Sequence, residues 1–123
     1  MSGTEHKDIR RAKKAALYLR EISDLFFQTA QDNPDLALLY PNRVKFSSDT
    51  GICTVLFFSP NGKAYFEEKL PVLKLFKPSL RSAIAKRIHQ RRVPDFIFQY
   101  DDEFEKHQKV DTLIEELKEK GKF

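Results

Sequence analysis

Residues 71–92 read PVLKLFKPSLRSAIAKRIHQRR and carry Lys74, Lys77, Arg81, Lys86, Arg87, Arg91 and Arg92, with no Asp or Glu among them. Ammonium and guanidinium groups at this density neutralise phosphates and release the counterions condensed on a polyanion, a favourable contribution that needs no base sequence. A second basic run, Arg10, Arg11, Lys13 and Lys14, lies near the N-terminus. Elsewhere the sign reverses: residues 21–41 sum to −4 and residues 93–123 to −4, against +7 for residues 71–92. The whole chain is only +4, so the positive charge is concentrated in two segments. Net charge bears on association and not on fold, and the local imbalance indicates where a polyanion would sit.

Other chemistries find little support. His6, His89 and His107 have no metal-ligand spacing, and the single cysteine, Cys53, offers neither a zinc set nor a disulfide partner. Cys53 lies in an apolar run and reads as a small core residue in a reducing compartment. With four glycines in 123 residues there is no phosphate-cradling glycine loop. Asp101, Asp102 and Glu103 are adjacent carboxylates, which cannot flank one scissile bond; they read as a helix N-terminal cluster favoured by the helix dipole. The residues therefore point to no catalytic set, no cofactor and no metal site. No apolar stretch approaches the ~20 residues that span a bilayer, and the N-terminal segment lacks an apolar signal region and contains Glu5 and Asp8. A soluble, cytoplasmic protein of one domain, with eleven Phe and four Tyr to fill its core, is the expectation.

The elements that must position these charges follow from periodicity. Ile9, Ala12, Ala16, Leu19, Ile22, Phe26 and Ala30 recur at helical spacing over residues 8–31, until Asn33-Pro34 ends the pattern. Arg43–Ser48 alternates as a strand, Asp49-Thr50-Gly51 supplies a hairpin turn, and the apolar run Ile52–Phe58 is expected to be a central strand covered on both sides. Helical spacing returns at Lys63–Phe76 and at Ser79–Gln90, interrupted by Pro71 and Pro78, with Ser79 placed to cap the second helix. In that helix Leu80, Ile84 and Ile88 form the buried stripe. Tyr65, Phe66 and Phe76 read as core side chains. Val93–Tyr100 alternates as a third strand, and Phe104–Lys120 as a last, more exposed helix. The fold class is α+β, with helices packed on one face of a three-stranded sheet in the order α-β-β-α-α-β plus a C-terminal helix.

That order is the arrangement of type II KH domains, which grip single-stranded RNA at a helix–helix junction. The usual GXXG loop is absent; the junction is Phe76-Lys77-Pro78-Ser79. With this absence, the segments Ser47-Ser48-Asp49, Leu80-Arg81-Ser82, Arg91-Arg92-Val93-Pro94-Asp95-Phe96-Ile97-Phe98, Asp101 and Lys109-Val110-Asp111-Thr112-Leu113 together resemble the ribosome-binding factor A family, over residues 8–117. The family's kink has an Ala-x-Gly pattern where this chain has Phe76, Lys77 and Pro78. The resemblance implies a single KH-like domain spanning residues 1–123, with 101–123 an acidic helical extension. It also implies a non-catalytic, monomeric factor acting on the small ribosomal subunit and its ribosomal RNA during late maturation and rRNA processing.

The residues expected to touch RNA are Arg10, Arg11, Lys13, Lys14, Lys74, Lys77, Arg81, Lys86, Arg87, Arg91 and Arg92. They form one patch if the first helix and the helix after Pro78 lie side by side. Free helix N–H groups from Ser79 onward would add phosphate ligands at the junction. Two other readings stand beside this one: an adaptor whose basic helix docks on an acidic protein, and a general KH-like RNA chaperone. Salt dependence separates the first from RNA binding, and preference for the subunit separates the second.

Overall fold

A computed structural model gives the architecture; it describes residues 2–90 and 92–121, with side chains from residue 9. Helix α1 (Ser2–Gln31) leads through a 3-10 turn (Pro34–Leu36) into strand β1 (Tyr40–Phe46) and strand β2 (Ile52–Phe58). Helices α2 (Gly62–Leu75) and α3 (Lys77–Ile88) follow, then strand β3 (Asp95–Tyr100) and helix α4 (Asp102–Glu119). The sheet order is β1-β2-β3, with β1 antiparallel and β3 parallel to β2. A parallel neighbour needs a crossover, and α2 and α3 provide it.

The side-chain period of two sorts the sheet into unlike faces. Val44 and Phe46 of β1, Cys53, Val55 and Phe57 of β2, and Phe96, Phe98 and Tyr100 of β3 stand in register on the covered face. Helices close over it: Phe57 meets Phe26 of α1 at 5.4 Å and stacks on Phe66 of α2 at 5.9 Å, while Tyr18 of α1 meets Phe46 edge-on at 4.9 Å. Each fully buried side chain of this size contributes on the order of 2 kcal/mol relative to leaving it in water. The expectation that β2 is central is met, but its covering is mainly one-sided. On the opposite face Ile52 is 40 % and Ile97 38 % exposed; Leu56 is buried, and α4 reaches this face at Phe58, on which Phe104 packs.

Two further differences have physical causes. The buried face of α1 runs through Tyr18, Ile22 and Phe26, and Ile9, Ala12 and Ala16 are exposed. Alanine offers little area to bury, so the bulkier Tyr18 sets the rotation of the helix, and the Lys14 stem continues that face over the Phe46 ring. Pro71 lies inside α2 without ending it. Pro71 and Glu67, whose carbonyl loses its helical partner, are both exposed, so the missing bond falls on the water-facing side of the helix.

The α4 end is pinned by Asp101. Its carboxylate accepts from Arg43 Nε and Nη2, each at 2.7 Å, from Asn42 Nδ2 at 2.9 Å and, as the helix N-cap, from Phe104 N at 3.0 Å. Asp102, Glu103 and Glu105 fill the first turn of α4, as the dipole favours. Beyond Phe104, which packs on Phe58, α4 buries no residue.

Candidate nucleic-acid interface

The helix break that frames the site is set by Pro78. Without an N–H it cannot extend the ladder of α2, and it disfavours helical geometry at Lys77. The chain resets one residue earlier: Phe76 N closes α2 on Leu73 O at 3.0 Å, and Phe76 O receives Leu80 N at 2.9 Å to open α3. Phe76 is thus the N-cap, and Ser79 lies inside the first turn with no capping role. The free amides expected from Ser79 onward are correspondingly fewer, since that of Leu80 is already paired.

A cleft of about 970 Å³ opens between α3 and the start of β3. Lys77, Arg81 and Arg92 line it, Ser82 adds a hydroxyl, and Pro78, Ala85, Val93 and Phe96 supply apolar walls. Lys77 is half-buried, its ammonium 5.3 Å from the centre of the Phe98 ring, where cation–π attraction holds it at the cleft wall. Arg81 reaches across the gap, with Nη1 3.2 Å from Asp95 Oδ1 and Nη2 donating to Val93 O at 3.4 Å. Both members of this ion pair are mainly exposed, Arg81 at 55 % and Asp95 at 73 %, so it is weak and easily exchanged for another anion.

A second cleft of about 470 Å³ continues from the first, sharing Arg81, Arg92, Val93 and Asp95, and adds Lys14 of α1 and the hairpin residues Asp49, Thr50 and Gly51. Helices α1 and α3 do pack together, and Tyr18 Oη donates to Gln90 Oε1 at 2.6 Å, which fixes the turn leading to Arg92. Arg11 Nη2 donates to Ser48 O at 3.2 Å and tethers α1 to the hairpin. Within the hairpin, Ser47 Oγ and Gly51 N donate to Asp49 Oδ1, and these bonds hold the Asp49 carboxyl below its ordinary pKa. The basic groove therefore runs from the α2–α3 break to the hairpin.

The predicted contact residues are distributed unevenly. The structure brings Lys14, Lys77, Arg81 and Arg92 into the groove and Arg11 to its hairpin end. Arg10, Lys13, Lys74 and Lys86 are exposed but line neither cleft. Arg87 is turned away, with Nη1 2.9 Å from Glu21 Oε2 and 2.7 Å from Asp24 Oδ2, so it fastens α3 to α1. Those hydrogen bonds, the Asp24 bond foremost, raise the pKa of its guanidinium. Arg91 lies outside the described residues. Sequence reasoning missed Asp95 as a groove residue; its placement opposite Arg81 follows from the outward half of the β3 alternation.

Cys53 is buried, which pushes its thiol up to about 12, and among the described residues no three His, Cys, Asp or Glu side chains are grouped to hold a metal. Nor, among them, is any helix long and apolar enough to cross a membrane. What the groove offers is cations over apolar walls, which suits phosphates flanked by riboses or bases.

The fold and groove define a class: small α+β domains of α-β-β-α-α-β order that present cations beside a helix–helix break. Within that class the chain belongs to the ribosome-binding factor A family, whose model matches residues 10–114. It is similar to the ribosome-binding factor A of Chromohalobacter salexigens, 30 % identical over 112 residues that cover 89 % of this chain and 86 % of that one. The corresponding protein of Prochlorococcus marinus subsp. pastoris is 33 % identical over 113 residues, covering 90 % and 85 %. Among solved structures, ribosome-binding factor A from Thermus thermophilus superposes with a TM-score of 0.62 at 26 % identity, over 73 % of this chain and 94 % of that one. A homology model of the Thermus thermophilus protein, fitted into the cryo-EM map of a 30S complex, matches with a TM-score of 0.57 at 26 % identity, over 69 % and 88 %.

Proposed function

We propose that this protein is a non-catalytic assembly factor of the small ribosomal subunit. It binds small-subunit ribosomal RNA through the groove between α3 and β3 and assists late maturation, including rRNA processing. One domain spanning residues 1–123 carries the activity, with 101–123 a helical extension, and it acts as a cytoplasmic monomer. The observation that supports this most is the convergence of Lys77, Arg81 and Arg92 with Lys14 of a distant helix on one groove, in a chain of the ribosome-binding factor A family. A family member fitted into a small-subunit complex supports the choice of partner. Clustered cations on apolar walls favour a flexible single strand, whose phosphates and bases reach both.

Sedimentation of the purified protein with free small subunits, whole ribosomes and naked ribosomal RNA tests the proposal. Selective co-sedimentation with free small subunits is expected, weakening steeply as salt rises. Equal binding to every RNA would reduce the protein to a general RNA chaperone. Binding that tolerates salt and ignores RNA competition would favour an acidic protein partner.

A further inference from the structure

The far end of α1 presents a surface of opposite character to the basic groove. A groove of about 690 Å³ runs between the C-terminal half of α1, the 3-10 turn and the start of β1; Phe26, Phe27, Ala30, Leu39, Tyr40 and Pro41 give it an apolar lining. Within this lining Phe27 is 65 % and Tyr40 48 % exposed. Two exposed aromatic side chains lining one groove exceed the scattered apolar exposure of an ordinary surface.

The charges around the groove are negative and incompletely matched. Asp24 lines it and shares the guanidinium of Arg87 with Glu21, which also lies 3.9 Å from Arg20 Nε. Asp35 is paired with Lys69 at 3.1 Å, whereas Asp32 makes no ion pair among the described residues. Asp32 follows directly on the last turn of α1, which contains no basic residue. The C-terminus of a helix carries partial negative charge, so an aspartate there without a cation is unfavourable for the protein alone. A cation brought by a partner would relieve it.

We infer that this groove docks a basic peptide segment: an extended stretch with a hydrophobic anchor for the Phe27–Tyr40 surface and lysines or arginines for Asp24, Asp32 and the end of α1. RNA is disfavoured because the carboxylates repel phosphate. Basic extensions of this chemistry belong to proteins that themselves bind nucleic acid, so the two grooves would engage unlike components of one assembly. The inference does not depend on the RNA-binding proposal.

The test is fluorescence anisotropy with a labelled peptide, Lys-Ala-Lys-Leu-Phe-Lys-Ala-Lys, added to the full chain and to two variants altered at exposed positions, Phe27→Ala and Asp32→Lys. Saturable binding is expected, weakened about ten-fold in Phe27→Ala by the loss of buried ring area and about three-fold at low salt in Asp32→Lys. A peptide with glutamates for the lysines should not bind. The Lys77→Ala/Arg81→Ala protein should bind the peptide as the unaltered chain does, which separates this groove from the other. Absence of saturation, equal binding by Phe27→Ala, or equal binding of the glutamate peptide would overturn the inference. So would sedimentation equilibrium showing a dimer that Phe27→Ala dissolves, since the groove would then hold a second copy.

Discussion

Arg43 and Arg81 each hold a carboxylate, and the two pairs do different work. Arg43 grips Asp101 with two 2.7 Å hydrogen bonds, and the Asp101 side chain is wholly buried, also accepting from Asn42 and Phe104. Arg81 touches Asp95 once, at 3.2 Å, with both side chains facing water. The first charge has no freedom to meet a ligand, because leaving would strand a buried carboxylate. The second exchanges partners at little cost, which is what a polyanion groove needs. Surroundings, and not residue type, separate the cation locked into this fold from the cation left open to a ligand.

The largest effect expected breaks the first pair. Arg43→Ala should lower unfolding free energy by about 2–3 kcal/mol, as a buried carboxylate loses its cation, measured by urea titration. Burial alone would raise the Asp101 pKa, but the bonds from Arg43, Asn42 and Phe104 outweigh it and hold the carboxyl below its ordinary value. A depressed folded-state pKa gives stability that is full above the unfolded value of about 4 and is lost as pH falls through the folded value. Acid titration of the native chain should show that decline, and the Arg43→Ala curve should be flatter; parallel curves would mean the pair carries no linkage. RNA affinity at neutral pH should be unchanged.

The second prediction breaks the other side. Lys77→Ala/Arg81→Ala should leave the unfolding midpoint nearly unmoved and weaken RNA binding by about ten-fold or more at low salt, with the log–log salt slope falling by roughly 1.4 for two lost single-strand phosphate contacts. Filter binding across a salt series reads both quantities, and an unchanged slope would remove these residues from the interface. Arg87→Ala is the matched control, expected to leave that slope intact because its guanidinium faces Glu21 and Asp24.

Asp95→Asn sharpens the contrast with a smaller gain: removing the competing carboxylate should tighten RNA binding about two- to three-fold and steepen the slope. Smallest of all is a backbone effect at the hairpin end of the groove. Thr50 adopts φ 57, the left-handed region that β-branched residues avoid, so Thr50→Asn should stabilise the fold by about 0.5 kcal/mol, visible as a small rise in melting temperature.

Much of the architecture was legible from pattern. The hairpin, the central β2, the exposed last helix and the Leu80–Ile84 stripe follow from periods of two and 3.6 that burial enforces directly. The rotation of α1 did not, because alanines satisfy an apolar pattern without burying much area, and Tyr18 decides the matter. The cap at Phe76 in place of Ser79 escaped because the geometry depends on where Pro78 forces the ladder to reset. For the site, charge density located the groove but not its members. Arg81 and Arg87 stand six positions apart on α3 with the same local pattern; only the packing of α3 on α1 shows that one faces the groove and the other Glu21 and Asp24.

The parallel pairing of β3 with β2 has a consequence for how the molecule assembles. Hairpin β1–β2 closes over a few residues, whereas β3 can join only after residues 59–94 have looped across the sheet. Loop closure of that length is entropically unfavourable until the strand contacts form, so β3 is expected to dock late in folding. Because β3 supplies one wall of the basic groove, partly folded chains would hold their cations on an α3 with nothing opposite. Competence to bind RNA would then appear with the last folding step, and a fresh chain would not engage its target before its core was complete.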